Sequence, residues 1–159
     1  MGFAVLHLDK AHGSDSKMSD HIERKTTPKN ADPTRTHLNR ELIEFPGVVT
    51  NRHEAISHRL KSAGLTRKIG TNQVRAIRFI LSGSPKDMKQ IEQAGKLDEW
   101  CRDSVEWMKR TYGSENVVSA VLHMDEETPH IHATLIPIVQ TERRKKKSEK
   151  LVKKNYRKK

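Results

Sequence analysis

Two β-branched runs, VVSAVLH at 117–123 and HIHATLIPIV at 130–139, flank the polar stretch MDEETP. Runs of this kind around a short polar connection read as an antiparallel pair of strands. Side chains two residues apart on a strand share a face and stand about 6.6 Å apart along it. That spacing lets the imidazoles of His130 and His132 converge on one ion. His123 closes the first strand, and the turn returns the chain beside it. Three imidazoles on one hairpin face make a three-nitrogen metal site with open positions. A bare H-x-H pair is weak evidence in a chain with nine histidines, so the weight rests on His123 and on the acidic turn. Asp125 and Glu126 in that turn offer a further ligand, an orienting partner or a general base. Imidazoles disfavour calcium and are unusual for magnesium, which leaves manganese, zinc, nickel or cobalt as better fits.

The rest of the chain reads as one α+β domain. Residues 3–8, FAVLHL, suit a first strand, with His7 sharing a face with Phe3 and Val5 and expected to be an ordinary sheet histidine. A polar stretch to about Pro33 reads as a long ordered loop or short helix. Asn51 suits an N-cap for RHEAISHRLKSA, with Gly64 at its end, and the pattern is that of a surface helix in which His53 and His58 have no special role. Residues 74–81, VRAIRFIL, form a strand pattern ending at Ser82-Gly83. Ser84 and Pro85 then begin the clearest helical pattern, which runs to Tyr112-Gly113 and is broken near Gly95.

Length and charge narrow the function classes. The chain's 159 residues suit one domain with a modest core. Cys101 is the single cysteine, which excludes an intrachain disulfide and a cysteine-only metal cluster and fits a reducing compartment. No apolar run approaches the roughly 20 residues of a membrane helix, and MGFAVLHLDK does not read as a secretory signal. The expectation is a soluble cytoplasmic protein. The formal charge of +11 points to nucleic acid, yet residues 141–159 hold eleven Lys or Arg and two Glu. Positions 1–140 carry 20 basic and 18 acidic residues, a net of only +2. The tail reads as a flexible basic segment supplying phosphate contacts. Outside it, Arg67, Lys68, Arg75 and Arg78 are the best basic group for a DNA backbone. Few aromatics argue against a base-stacking platform.

The stretch HMDEETPHIH resembles the third motif of the Mob/Pre (MobV-type) plasmid mobilisation relaxases, roughly H-x-D-E-x-x-P-H-x-H. His21-Ile22-Glu23-Arg24 looks like their first motif, H-x-x-R, and DPTRTHLNREL, Asp32 to Leu42, like the segment holding their second. Three motifs in order cover residues 1–140. The resemblance implies the fold of the wider HUH endonucleases: a central antiparallel sheet carrying a histidine metal site, with helices packed on it. It implies a catalytic domain over 1–140, and a tail at 141–159 that begins a longer C-terminal region able to meet a transfer apparatus.

The activity implied is that of a bacterial DNA relaxase. Such an enzyme nicks one strand of single-stranded or melted origin DNA, keeps the 5′-phosphate covalently attached and later reseals the strand. By carry-over His123, His130 and His132 hold a divalent ion, Mn2+ foremost, with Mg2+, Zn2+, Ni2+ and Co2+ as alternatives. Glu126 is the acid beside them, His21 the nucleophile and Arg24 a phosphate contact. Arg35, His37, Asn39 and Arg40 of the second motif are DNA contacts. Many relatives have Tyr after the Asn of that motif, whereas Arg40 stands here. Tyr112 and Tyr156 are the only tyrosines; most HUH enzymes attack with tyrosine, which makes Tyr112 the competing nucleophile, but a histidine variant within this family favours His21. Glu126, or less well Glu23, would fix the tautomer of His21. The competing classes are a DNA-binding module with a structural metal and a metal-dependent nuclease that forms no covalent intermediate.

Overall fold

The computed structural model describes residues 4–65 and 67–139. Five strands form one antiparallel sheet in the order β1-β3-β5-β4-β2, with β1 Ala4–Ala11, β2 Arg40–Glu41, β3 Ala76–Gly83, β4 Val117–His123 and β5 His130–Leu135. Four α-helices accompany it: α1 Ser16–Ile22, α2 Arg52–Ser62, α3 Pro85–Gln93 and α4 Leu97–Tyr112. A 3₁₀ segment, Pro33–Leu38, precedes β2.

The period of two along the central strands sorts their side chains onto two faces. Ile77, Phe79 and Leu81 of β3, Ile131, Ala133 and Leu135 of β5, and Ala120 and Leu122 of β4 pack against Cys101, Val105 and Met108 of α4. Phe79, Met108, Leu122 and Ile131 are at most 1% exposed, and each such burial contributes roughly 1.5–3 kcal/mol. The opposite face carries His130, His132 and Thr134 of β5 and His123 of β4. There a smaller cluster of Ala11, Ile56, Ala76 and Ile136 joins α2 to the sheet. An irregularity between Val117 and Ser119 adds one residue to β4, so that Val117 faces the first cluster while Val118 packs on the second.

The helix signals act as local chemistry dictates. The Ser84 hydroxyl accepts from the Asp87 backbone N–H (3.3 Å) with Pro85 in the first turn, and Asn51 Oδ1 accepts from the Glu54 backbone N–H (2.9 Å). Gly95, at φ +69°, separates α3 from α4.

Several expectations are corrected. The first strand runs to Ala11, and β3 spans 76–83 where 74–81 was expected; Ser82 and Gly83 continue the ladder because Val5 and Ala4 pair with them. β5 stops at Leu135, short of 139, where Pro137 withdraws a backbone donor. The helix over 52–62 lies at the surface with His53 and His58 exposed, and its inner face buries Arg52, Ala55 and Ile56. The short edge strand β2 gave no sequence signal. The basic tail, residues 141–159, and Tyr156 lie outside the described residues. Among the described residues no helix is long and apolar enough to cross a membrane.

Candidate metal centre and its bracing shell

His123 and His130 face each other across the β4–β5 ladder, and His132 is two residues further along β5 on the same face. One ligand nitrogen from each lies within 4.8 Å of the others. Ring centroids are 4.7 Å apart for His123 and His132, 5.0 Å for His130 and His132, and 5.2 Å for His123 and His130.

Backbone carbonyls set two of the tautomers. His123 Nε2–H donates to the Ile22 carbonyl (2.8 Å), and His130 Nδ1–H donates to the Thr128 carbonyl (2.9 Å). Their free lone pairs are then Nδ1 of His123 and Nε2 of His130. His123 Nδ1 is buried with no hydrogen-bond partner, an arrangement that costs free energy unless a ligand takes the lone pair. Burial pushes His123 down to about 4 and pushes His132 down as well, helped by the neighbouring imidazoles. Both rings are neutral at pH 7 and ready to ligate. The donor set of this triad fits a divalent transition metal.

His21 lies at the end of α1, its ring centroid 6.0 Å from that of His132 in an edge-to-face arrangement. Burial, then the charge of Arg24, hold its pKa below the ordinary value, so it too is neutral at pH 7. The first and third sequence motifs therefore meet in space, 102 positions apart for His21 and His123.

Arg24 is the main brace between them. Its Nε donates to Asp125 Oδ2 (2.8 Å), Nη2 to Asp125 Oδ1 (2.9 Å) and Glu126 Oε1 (2.7 Å), and Nη1 to the His21 carbonyl (2.7 Å). The arginine beside Asp125 holds its carboxyl well below the usual carboxylate range, aided by Asn39 and Thr36. All three guanidinium nitrogens are engaged in these contacts. Glu126 also accepts from Asn30 Nδ2 (3.2 Å) and lies 3.7 Å from His130 Nε2. The expected contact from Glu126 to His21 is not made. Glu23, the other candidate, accepts from the Arg52 backbone N–H (2.6 Å) at the start of α2.

The second motif serves as scaffold for the acidic turn. The Asp32 backbone N–H donates to the Asp125 carbonyl (2.6 Å), and the Thr36 hydroxyl donates to Asp125 Oδ2 (3.0 Å). Asn39 Oδ1 accepts from the Met124 backbone N–H (2.7 Å). Arg35 and His37 are exposed on the 3₁₀ segment, while Arg40 pairs with Asp98.

The other basic candidates separate. Arg78 pairs with Asp9 and lies 3.7 Å from Asp15, so its charge is locally neutralised. Arg67 and Lys68 are exposed and share a shallow hollow with Lys61 and Arg75. Arg75 precedes β3 by one residue and stands five residues from Ile80, the partner of His132, a run of about 17 Å along a strand. Tyr112 packs on Phe79 (ring centroids 5.3 Å) and Trp107 on the α4 side of the sheet. It is therefore on the face opposite the histidines. His7, on the triad's side of β1, is exposed at the sheet edge with Ile80 between it and His132.

Sequence reasoning missed Asn30, Thr36 and the buried Arg52. Arg52 is 0% exposed and donates to Thr134 Oγ1 (2.7 Å), Ser19 Oγ (2.8 Å) and Asp15 Oδ2 (2.8 Å). A residue flanked by Asn51 and His53 at a helix start gives no sign of burial.

Comparison with known proteins bears on these features together. A sequence model of the Mob_Pre family, described as plasmid recombination enzyme, matches residues 1–158. A 65 kDa protein of Zymomonas mobilis is 31% identical over 137 residues, covering 85% of this chain and 23% of that protein. A plasmid recombination enzyme of Bacillus thuringiensis is 27% identical, with 89% and 32% covered, and the type 1 plasmid recombination enzyme of Staphylococcus aureus is 29% identical, with 98% and 40% covered. The chain thus spans well under half the length of these relatives. Among solved structures, the Mn-bound MobM relaxase domain in complex with 22-nucleotide plasmid pMV158 oriT DNA superposes with a TM-score of 0.70 at 23% identity. That match covers 97% of this chain and 83% of the other. The Mn-bound complex of the same domain with the 23-nucleotide DNA gives a TM-score of 0.72 at 22% identity.

Proposed function

The chain belongs to the Mob_Pre family of plasmid recombination enzymes, and on that premise we propose that it is a relaxase, a metal-dependent DNA strand transferase acting at an origin of transfer. The observation that carries this reading is the neutral His21 ring set against His132, at the edge of a preformed three-imidazole site. The Mn-bound, oriT-DNA-bound state of the fold neighbours supports a divalent ion and origin DNA as the partners here.

His123, His130 and His132 would hold the ion. When bound, it supplies positive charge that neutralises the non-bridging oxygens of the scissile phosphate. The chain's own residues carry the transfer. A ring nitrogen of His21 attacks phosphorus with its lone pair; an N–P bond forms, the P–O3′ bond breaks, and the 3′-oxygen leaves and takes up a proton. The other ring nitrogen gives up its proton to an acceptor. Glu126, close to the triad and tied to Arg24, is the candidate acceptor once DNA displaces its present contacts. The phosphoramidate is reactive enough for a 3′-hydroxyl to reverse the step, and resealing needs no ATP. Arg24 and Asp125 position the loop and helix that carry these groups. Arg35, His37, Arg67 and Lys68 are exposed and suit contacts with the DNA backbone.

Incubation with an oligonucleotide bearing the cognate nick site tests the assignment. A denaturing gel is expected to show a protein–DNA adduct in the wild type and in Tyr112→Phe, and none in His21→Ala. Adduct in His21→Ala with loss in Tyr112→Phe would move the nucleophile to the tyrosine. Free ends with no adduct in any variant would replace transfer by simple hydrolysis.

A further inference from the structure

The helix that carries His21 is poorly secured by ordinary means. It has seven residues and buries only Ser19 and Ile22, and helices this short are unstable on their own. It also begins and ends badly. Asp15 at its start and Arg24 just beyond its end are non-glycine residues in the left-handed region, at φ +53° and +56°, where a Cβ meets the backbone unfavourably. Contacts outside the helix must hold both ends. At the C-terminal end these are the bonds of Arg24 already described.

At the N-terminal end the holder is Arg52 of α2. Its guanidinium reaches Asp15, which stands just before α1 without a side-chain capping bond, Ser19 in the middle of α1, and Thr134 of β5. Thr134 is two residues after His132 on the same face of the same strand. One fully buried side chain therefore ties the helix of His21 to the strand of His132. Arg52 itself makes no hydrogen bond to His21 or to the three metal-site histidines. We propose that Arg52 is a positioning residue, whose three-way bond to Asp15, Ser19 and Thr134 sets the distance between His21 and the metal-binding strand. The inference rests on the reading of His21 as nucleophile. The planar fork matters: it serves three acceptors in fixed directions, which a lysine ammonium on a flexible stem does not.

The test compares Arg52→Lys, Thr134→Val and Thr134→Ser with the wild type in three measurements. Single-turnover adduct formation is followed on a plasmid carrying the chain's own origin, together with its dependence on DNA concentration. Mn2+ affinity is read by electron paramagnetic resonance, and exchange of the α1 amides by mass spectrometry. Arg52→Lys and Thr134→Val are expected to slow adduct formation about 10- to 100-fold, the scale of a misplacement near 1 Å. Half-saturating DNA and Mn2+ affinity stay within about twofold, while the α1 amides exchange at least about tenfold faster. Thr134→Ser, which keeps the acceptor, recovers the rate to within about threefold. Thr134→Val leaves the arginine in place, so the test survives if Arg52→Lys fails to fold. Wild-type rates and exchange in both variants would overturn the proposal, as would parallel losses of DNA and Mn2+ affinity, which mark a general defect in the fold. An adduct that persists in His21→Ala removes the nucleophile reading and the catalytic part of the proposal. Faster α1 exchange in Thr134→Val would still report the clamp.

Discussion

Replacing Asp125 with Asn keeps the shape of a buried carboxylate and removes its charge. The Asp125 side chain is 0% exposed and that of Arg24 6%, so this is a buried pair and not a solvated one. Removing one partner of such a pair typically costs about 3–5 kcal/mol, because the other charge is left buried. Arg24 keeps Glu126 and the His21 carbonyl in the variant, which places the expected loss at the lower end, about 3 kcal/mol. With a urea dependence of about 2 kcal/mol per M, the unfolding midpoint of the metal-free protein should fall by about 1.5 M. Fluorescence of Trp100 and Trp107, both on α4, reports the transition. Acid provides an internal control. Because the folded carboxyl of Asp125 titrates below its ordinary value, its contribution is complete above about pH 4 and is lost as pH falls through the folded value. The gap between wild type and Asp125→Asn should therefore be constant from pH 7 to 5 and narrow below pH 4. A loss under about 1 kcal/mol, the scale of an exposed pair, or a gap unchanged at low pH, would refute the bracing role.

Other outcomes follow from the same geometry. Chelation with EDTA should abolish strand transfer yet leave far-ultraviolet circular dichroism and the cooperative unfolding transition intact, because the clusters around Phe79 and Ile56 are apolar and independent of the triad; unfolding on chelation would instead mark a structural metal. His132→Ala should weaken Mn2+ binding at least about tenfold in a titration while shifting stability less than a core truncation does, since it removes one of three ligands. Deleting residues 141–159, which carry a net +9, should flatten the slope of log affinity for DNA against log salt and leave cleavage intact at low salt; an unchanged slope would exclude the tail from binding. Ser84→Ala should cost about 1 kcal/mol of stability through loss of the α3 cap, measured by thermal unfolding.

Legibility in the sequence followed the range of the interactions. The hairpin, the Asn51 and Ser84 caps and the break at Gly95 were readable because each depends on neighbours within a few positions. The cluster of His123, His130 and His132 was readable for the same reason: the period of a strand and one short turn bring them together. The burial of Arg52 was not legible because its three acceptors lie 33, 37 and 82 positions away. Arg24 and Asn39 were recognised as motif residues, but their contacts with Asp125 and Met124 were not legible, since these become their neighbours only after the sheet has formed.

The sequence by itself determined the hairpin, the shared face of His123, His130 and His132, and the family to which the chain belongs. It also located nine of the eleven net charges in the tail. Only the tertiary structure decided which face of the sheet each candidate occupies. It placed Tyr112 among the apolar side chains under α4 and brought His21 to the edge of the triad. The physical reason is that periodicity fixes the spacing of side chains within an element, whereas their approach between elements is set by buried arginine–carboxylate pairs and by packing against the sheet.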